Sequence, residues 1–177
     1  MANYQVAIIQ RRLTHYRKPF FSQLREKLAA QNVDLLLIHG KPTESEIRKK
    51  DHANLDWAIE IENQKLGLGS KSLMWQPALK YLKGADLIIV EQATRLLLNY
   101  FLLFLQLMGK QKVAFWGHGR SFQPHLSSTG GEFVKRLISR QACWWFAYND
   151  LSASAVKNLG FPPEKITSVM NAIDTRP

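Results

Sequence analysis

Short unbroken apolar runs alternate along the chain with longer stretches in which apolar residues recur every three or four positions. This pattern predicts strands and helices in turn. Residues 4–9 form a β-rich first run, and the polar, basic stretch 10–18 after it reads as a loop. Pro19 suits the first turn of a helix, where a missing N–H costs little. Phe20, Leu24 and Leu28 then recur at four-residue spacing, with Phe21 beside the stripe, as far as Gln31-Asn32. Residues 33–38 are apolar except for Asp34 and stop at His39-Gly40, as expected of a parallel strand covered on both faces. The charged stretch 41–54 predicts part helix and part loop. Residues 57–61 alternate like a half-exposed strand, and 64–71, with Gly67 and Gly69, reads as a loop. A short helix is predicted over 75–82, with Pro77 in its first turn and Gly84 just past its end. Leu87-Ile-Ile-Val90 is the most strand-like run and ends at Glu91-Gln92.

The second half continues the alternation. It predicts an apolar helix over 96–108, a strand over 113–116, a polar loop over 121–129, a helix from about 132 to 141 and a strand over 143–147. Asn149 or Asp150 can cap a helix over 151–159, which Gly160 can close in the left-handed conformation. Phe161-Pro162-Pro163 is a stop, and 166–169 is a last strand. Alternation at this spacing implies right-handed crossovers onto a mostly parallel, doubly wound α/β sheet with helices on both faces. Ligands of such sheets bind beyond the carboxyl ends of the strands. Those ends are 10–18, 91–94 and 117–120, so the basic loop, the carboxylate of Glu91 and a His-Arg turn are expected to meet at one edge.

Composition narrows the partners. The 177 residues suffice for one domain, and 46% hydrophobic with 21% charged residues is a globular composition. The single cysteine, Cys143, excludes an internal disulfide, suits a reducing, cytoplasmic compartment, and sits in an apolar run as an inert core thiol would. Met1 leads straight into the first strand pattern, with no signal-peptide pattern before it. The stretch 96–108 is shorter than the roughly 20 residues that span a bilayer, so a buried helix is expected there, with contact at a membrane surface as the alternative. The net charge of +10 favours anionic partners such as phosphorylated substrates, anionic lipid or nucleic acid. No RNA-recognition signature, zinc-finger spacing or basic zipper accompanies it, so nucleic acid is not expected.

The chemistry concentrates where residues 113–116 give way to Gly117-His118-Gly119-Arg120. Two glycines allow a sharp turn and leave room for a ligand, with an imidazole between them and a guanidinium after them. Other motifs are excluded. No G-x-G-x-x-G follows the first strand, where Gln10-Arg11-Arg12 stands instead, so dinucleotide binding at that turn is not expected. Residues 67–72 lack the Gly-Lys-Ser/Thr of a phosphate loop. One cysteine and five scattered histidines make no zinc site, and no G-x-S-x-G supplies a hydrolase nucleophile.

Three segments carry a family resemblance: His15-Tyr16-Arg17 followed by Pro19-Phe20-Phe21; residues 113–123, around Trp116-Gly117-His118-Gly119-Arg120; and residues 158–174, ending Asn171-Ala172-Ile173-Asp174. Together they resemble the N-terminal half of the two-domain GT-B glycosyltransferases, especially the retaining family 4, with Ala172 where those enzymes usually have glycine. The resemblance implies one Rossmann-like domain over residues 1–177 on the acceptor side of the enzyme. It implies that the nucleotide-sugar domain lies beyond residue 177 and that the chain is inactive alone. The implied partners are a nucleotide-sugar donor, a glycan or lipid-linked acceptor, and an anionic membrane surface at the inner face of the membrane. No cofactor and no metal are implied.

Roles follow from the same resemblance. His118 touches the transferred sugar as the catalytic residue; Gly117, Gly119, Arg12 and Arg17 contact the donor and its phosphates. His15, Tyr16, Glu91 and Arg120 line the acceptor side, and Asn171 and Asp174 fix the hinge. Two other classes stay open on the residues alone: a non-catalytic doubly wound binding domain, and a membrane-surface module using the basic clusters and the 96–108 helix. The sequence beyond residue 177 would separate the first from the enzyme, since a second α/β domain with paired glutamates belongs to the latter.

Overall fold

The computed structural model describes residues 4–49, 51–67, 72–119, 138 and 140–170. The elements among them are, in chain order, β1 (Tyr4–Gln10), α1 (Lys18–Ala29), β2 (Val33–Gly40), α2 (Glu44–Arg48), β3 (Ile59–Ile61), β4 (Gln64–Leu66), β5 (Leu73–Trp75), β6 (Leu87–Glu91), α3 (Leu97–Leu107), β7 (Val113–Gly117), β8 (Trp144–Ala147), α4 (Asp150–Asn158) and β9 (Ile166–Ser168). Seven strands form one sheet in the order β3-β2-β1-β6-β7-β8-β9. The order runs outward from β1 to β3, then resumes at β6 and runs outward to β9, which is the reversal of a doubly wound, Rossmann-like sheet. The contacts divide the chain into two units: one holds the described residues up to Ile88 with Arg95–Leu98, the other Ile89–Thr94 and the described residues from Asn99 onward.

In the first unit β1 and β2 pair in parallel over their whole length, from Tyr4 opposite Val33 to Gln10 opposite His39, and β2 pairs in parallel with β3. Ala7, Ile8 and Ile9 are all buried, so both faces of β1 are covered, as the unbroken apolar run predicts. A 3-10 turn, His15–Arg17, leads into α1, which carries Pro19 in its first turn, and Asn32 in the left-handed region (φ 59°) turns the chain into β2. The buried face of α1 differs from expectation. Phe21 is fully buried while Phe20 is 41% exposed, because Phe21, Leu24 and Leu28 share the face toward β2 at the three- and four-residue spacing of a helix.

Two predicted elements are corrected. The expected loop at 64–71 contains β4, which pairs antiparallel with β5, and the expected helix at 75–82 is replaced by the end of β5 and a single 3-10 turn, Leu79–Tyr81. Pro77 disfavours helical backbone at Gln76. The backbone of 73–75 also finds sheet partners that a helix would forgo, including Met74 N–H donating to the Arg95 carbonyl at 2.8 Å.

In the second unit β7, β8 and β9 run parallel, and every residue of β7 is buried. Cys143 is half-buried rather than part of the core, and that partial burial still raises its thiol above the ordinary value. The polar interruptions of α3 are tethers: Gln106 accepts from Val113 N–H at 2.5 Å and donates to the Gln141 carbonyl, while Asn99 Nδ2 donates to the carbonyls of Glu91 (2.8 Å) and Ala93 (3.4 Å). Leu98, Leu102 and Leu103 of α3 are buried, but Phe101, Phe104, Leu107 and Met108 are 40–67% exposed, so the expected burial holds for one face only. No helix among the described residues is long and apolar enough to cross a membrane. Asn149 caps α4 by accepting from Ser152 N–H at 2.9 Å, and Gly160 (φ 83°) closes it, both as predicted. Only the end of the predicted 132–141 helix is described, with Ile138 helical; the 121–129 loop lies outside the described residues.

Candidate functional site

In the first unit the loop at the carboxyl end of β1 is held by charge. The Arg12 guanidinium forms a fork with Asp51, at 2.5 and 2.9 Å, and lies 3.4 Å from Glu46. Arg11 meets the same Glu46 at 2.7 Å. Glu46 also accepts from the Thr43 N–H at 2.9 Å, closing a capping box on α2. The hydrogen bond from Arg12 lowers Asp51 and raises Arg12 in turn. Burial alone would raise Glu46, but hydrogen bonds from Arg11 and Thr43 outweigh it and bring the carboxyl down to about 2. The folded value is below the ordinary 4.5, so this contribution to stability is complete above pH 4.5 and disappears as pH falls toward 2. Urea unfolding at pH 5, 3.5 and 2.5 is expected to show wild-type stability dropping across that window, and Glu46→Gln to show a shallower drop. Equal acid slopes in the two proteins would contradict this assignment.

The other loop residues stack. The rings of His15 and Tyr16 meet edge to face with centroids 5.8 Å apart, and the Arg17 guanidinium sits 6.0 Å from the centre of the Tyr16 ring. Arg17 also donates to Gln10 Oε1. His15 is exposed, and its backbone N–H donates to the Asp51 carbonyl at 3.0 Å.

In the second unit the buried strand β7 delivers Gly117 to a close approach, where a Cβ would lie 3.1 Å from the Gln92 Cβ. The Gln92 N–H donates to the Trp116 carbonyl at 3.0 Å, which fixes the turn after β6 beside the turn after β7. Asn99 holds that first turn through Glu91 and Ala93, and the half-buried Glu91 side chain stands at its start. His118 is exposed. Its Nδ1 lies 3.2 Å from Ser152 Oγ, and its ring meets Tyr148 edge to face with centroids 4.4 Å apart. Ser152 is fully buried, so its hydroxyl orients the imidazole and is unavailable as a nucleophile. Gly119 adopts φ 68° and sits against α4, where a Cβ would come within 2.4 Å of Val156 Cγ2.

Each predicted residue among those described therefore lies at the carboxyl end of its own strand: Arg12, His15, Tyr16 and Arg17 after β1, Glu91 at the end of β6, and Gly117, His118 and Gly119 at the end of β7. Arg120, Asn171 and Asp174 lie outside the described residues. Sequence reasoning missed Ser152, Tyr148, Asn99, Glu46 and Asp51. The spacings Asn149-x-x-Ser152 and Thr43-x-x-Glu46 are capping signals that could have pointed to two of them.

No family model matches the chain, and no curated protein matches it significantly. Solved structures do. HepE from Anabaena, in complex with UDP-glucose, superposes with a TM-score of 0.58 at 13% identity over 96% of this chain and 44% of its own. The fold is GT-B-like. UDP-GlcNAc 2-epimerase from Methanocaldococcus jannaschii gives a TM-score of 0.53 at 17% identity over 94% of this chain and 45% of its own. The Neisseria meningitidis enzyme bound to UDP-GlcNAc gives 0.54 at 13% identity over 93% and 46%. The chain thus spans somewhat under half the length of the GT-B-like structures it matches.

Proposed function

We propose that the chain is the acceptor-side, N-terminal half of a retaining, family 4-type glycosyltransferase that moves a hexose from a nucleotide-sugar donor to a glycan or lipid-linked acceptor. The observation that carries this reading is the exposed His118 imidazole at the end of β7, held by Ser152 and Tyr148 in a fold whose solved neighbours bind UDP-sugars. Transfer requires stabilisation of negative charge on the departing nucleoside diphosphate, which fixed cations and backbone N–H groups in a dry crevice provide. Gly117 and Gly119 let the backbone approach the donor, His118 contacts the transferred sugar, and Arg17 contributes charge toward the phosphates. Arg12, whose fork is filled by Asp51, gives the loop its shape. His15, Tyr16 and Glu91 serve the acceptor, a role that the resemblance also gives Arg120, as it gives Asn171 and Asp174 that of a hinge to a nucleotide-sugar-binding half. The exposed apolar face of α3 favours an acceptor presented on a lipid.

The test is transfer of labelled sugar from UDP-glucose or UDP-GlcNAc by a protein joining this chain to a nucleotide-sugar-binding half, with undecaprenyl-diphosphate-linked glycan in anionic vesicles and the same glycan free. The two-part protein is expected to transfer, with Phe101→Ser/Phe104→Ser raising KM for the vesicle-borne acceptor alone. The 177-residue chain by itself is expected to transfer nothing. Turnover by the isolated chain, or none by the joined protein with either acceptor, would sink the proposal.

A further inference from the structure

A groove of about 430 Å³, open to solvent, lies wholly within the first unit at the outermost strand of the sheet. Glu60, on β3, and Glu62, just past its end, both line the groove on either side of the buried Ile61. Neither carboxylate is paired with a cation among the described residues. The half-buried rings of Trp75 and Tyr81, together with Pro77, line the same groove. Lys80 is the single cation among the described residues that line the groove, and its ammonium lies 4.8 Å from the centre of the Tyr81 ring. In a chain of net charge +10, the described lining of this groove carries one more negative than positive group.

The lining dictates the chemistry of an occupant. Aromatic faces and a proline ring need an apolar surface laid flat against them. Two exposed, acceptor-only carboxylates can take several O–H donors, and the exposed Lys80 ammonium can donate to an acceptor. The excess carboxylate repels an anion. A neutral pyranoside meets all of these conditions, with its C–H face on the rings and its hydroxyls on the carboxylates, and the groove volume is that of a small-molecule site. We infer that the groove formed by Glu60, Glu62, Trp75 and Tyr81 is a carbohydrate subsite for an uncharged glycan. The inference rests on the glycan-acceptor reading above and deepens it by assigning an extended acceptor a second point of attachment away from the reacting sugar.

The test is binding, with no transfer involved. The ¹⁵N-labelled 177-residue chain is titrated with cellobiose, N,N′-diacetylchitobiose and digalacturonic acid, following the Trp75 indole and the amides of Glu60 and Glu62. At least one neutral disaccharide is expected to shift these signals saturably, with digalacturonic acid leaving them unmoved. Trp75→Ala and Glu60→Gln/Glu62→Gln should each weaken binding at least about tenfold, the carboxamide pair doing so with the remaining amide spectrum unchanged. The inference is overturned if neither neutral disaccharide shifts these signals at about 50 mM, if digalacturonic acid binds as well, or if the carboxamide pair binds like wild type. Because no nucleotide or second half takes part, failure here leaves the transferase proposal standing. Failure of transfer with sugar binding intact removes only the transferase reading.

Discussion

In the two-part transferase proposed above, replacing His118 with alanine should lower kcat by about 10²- to 10³-fold, the range found when one well-placed polar group is removed from a reacting centre. The effect on folding should be small. The imidazole is exposed, and changes at exposed positions usually stay within about 0.5 kcal/mol. Ser152 holds the ring from one side and Tyr148 from its edge, so the group is positioned before substrate arrives. The measurement is kcat beside the urea midpoint. A variant with wild-type turnover removes His118 from the mechanism, and a variant that loses turnover and midpoint together marks it as structural.

Gly119→Ala should instead lower stability and turnover together. At φ 68° an L-residue costs about 1–2 kcal/mol by itself. The added methyl would also meet Val156 Cγ2 at 2.4 Å and the Val156 backbone nitrogen at 3.3 Å, and Val156 is fully buried in α4. Strain and clash together should lower unfolding stability by about 3 kcal/mol. Catalysis would fall as well, since a displaced α4 carries Ser152 with it. A loss below about 1 kcal/mol in urea unfolding would mean that the turn after β7 is not built as described.

The parallel strands were legible because their burial leaves a simple mark. Residues 4–9, 33–38, 87–90 and 113–116 are nearly uninterrupted apolar runs, and each forms a strand within one or two residues of its expected ends. The α4 cap was equally legible, because Asn149 acts on its own next turn. What failed depended on partners distant in sequence. The 73–75 stretch becomes a strand because Gln64–Leu66 and Arg95 offer hydrogen bonds, a fact that Trp75 and Pro77 do not carry locally. Phe20 and Phe21 are chemically alike, and only the placement of β2 decides which is buried.

The site followed the same division. His118, Gly117 and Gly119 were visible because glycines and a histidine interrupt a buried run. Arg12 was also visible as a loop cation, but its pairing with Asp51 was not, because 39 residues separate them. Asn99 looked like a flaw in an apolar helix and turns out to secure the turn beneath Glu91.

Around the β1 loop, Gln10 Nε2, Thr14 Oγ1 and His39 Nε2 are buried with no hydrogen-bond partner among the described residues, and Asn63 Oδ1 joins them beside Arg11. Each such group forfeits about 1–3 kcal/mol of hydration when enclosed. Admitting water there would restore what closure withholds, which offsets part of the cost of opening this rim against its ion pairs. Its amide protons should therefore trade with the surroundings ahead of those in the aliphatic interior behind it.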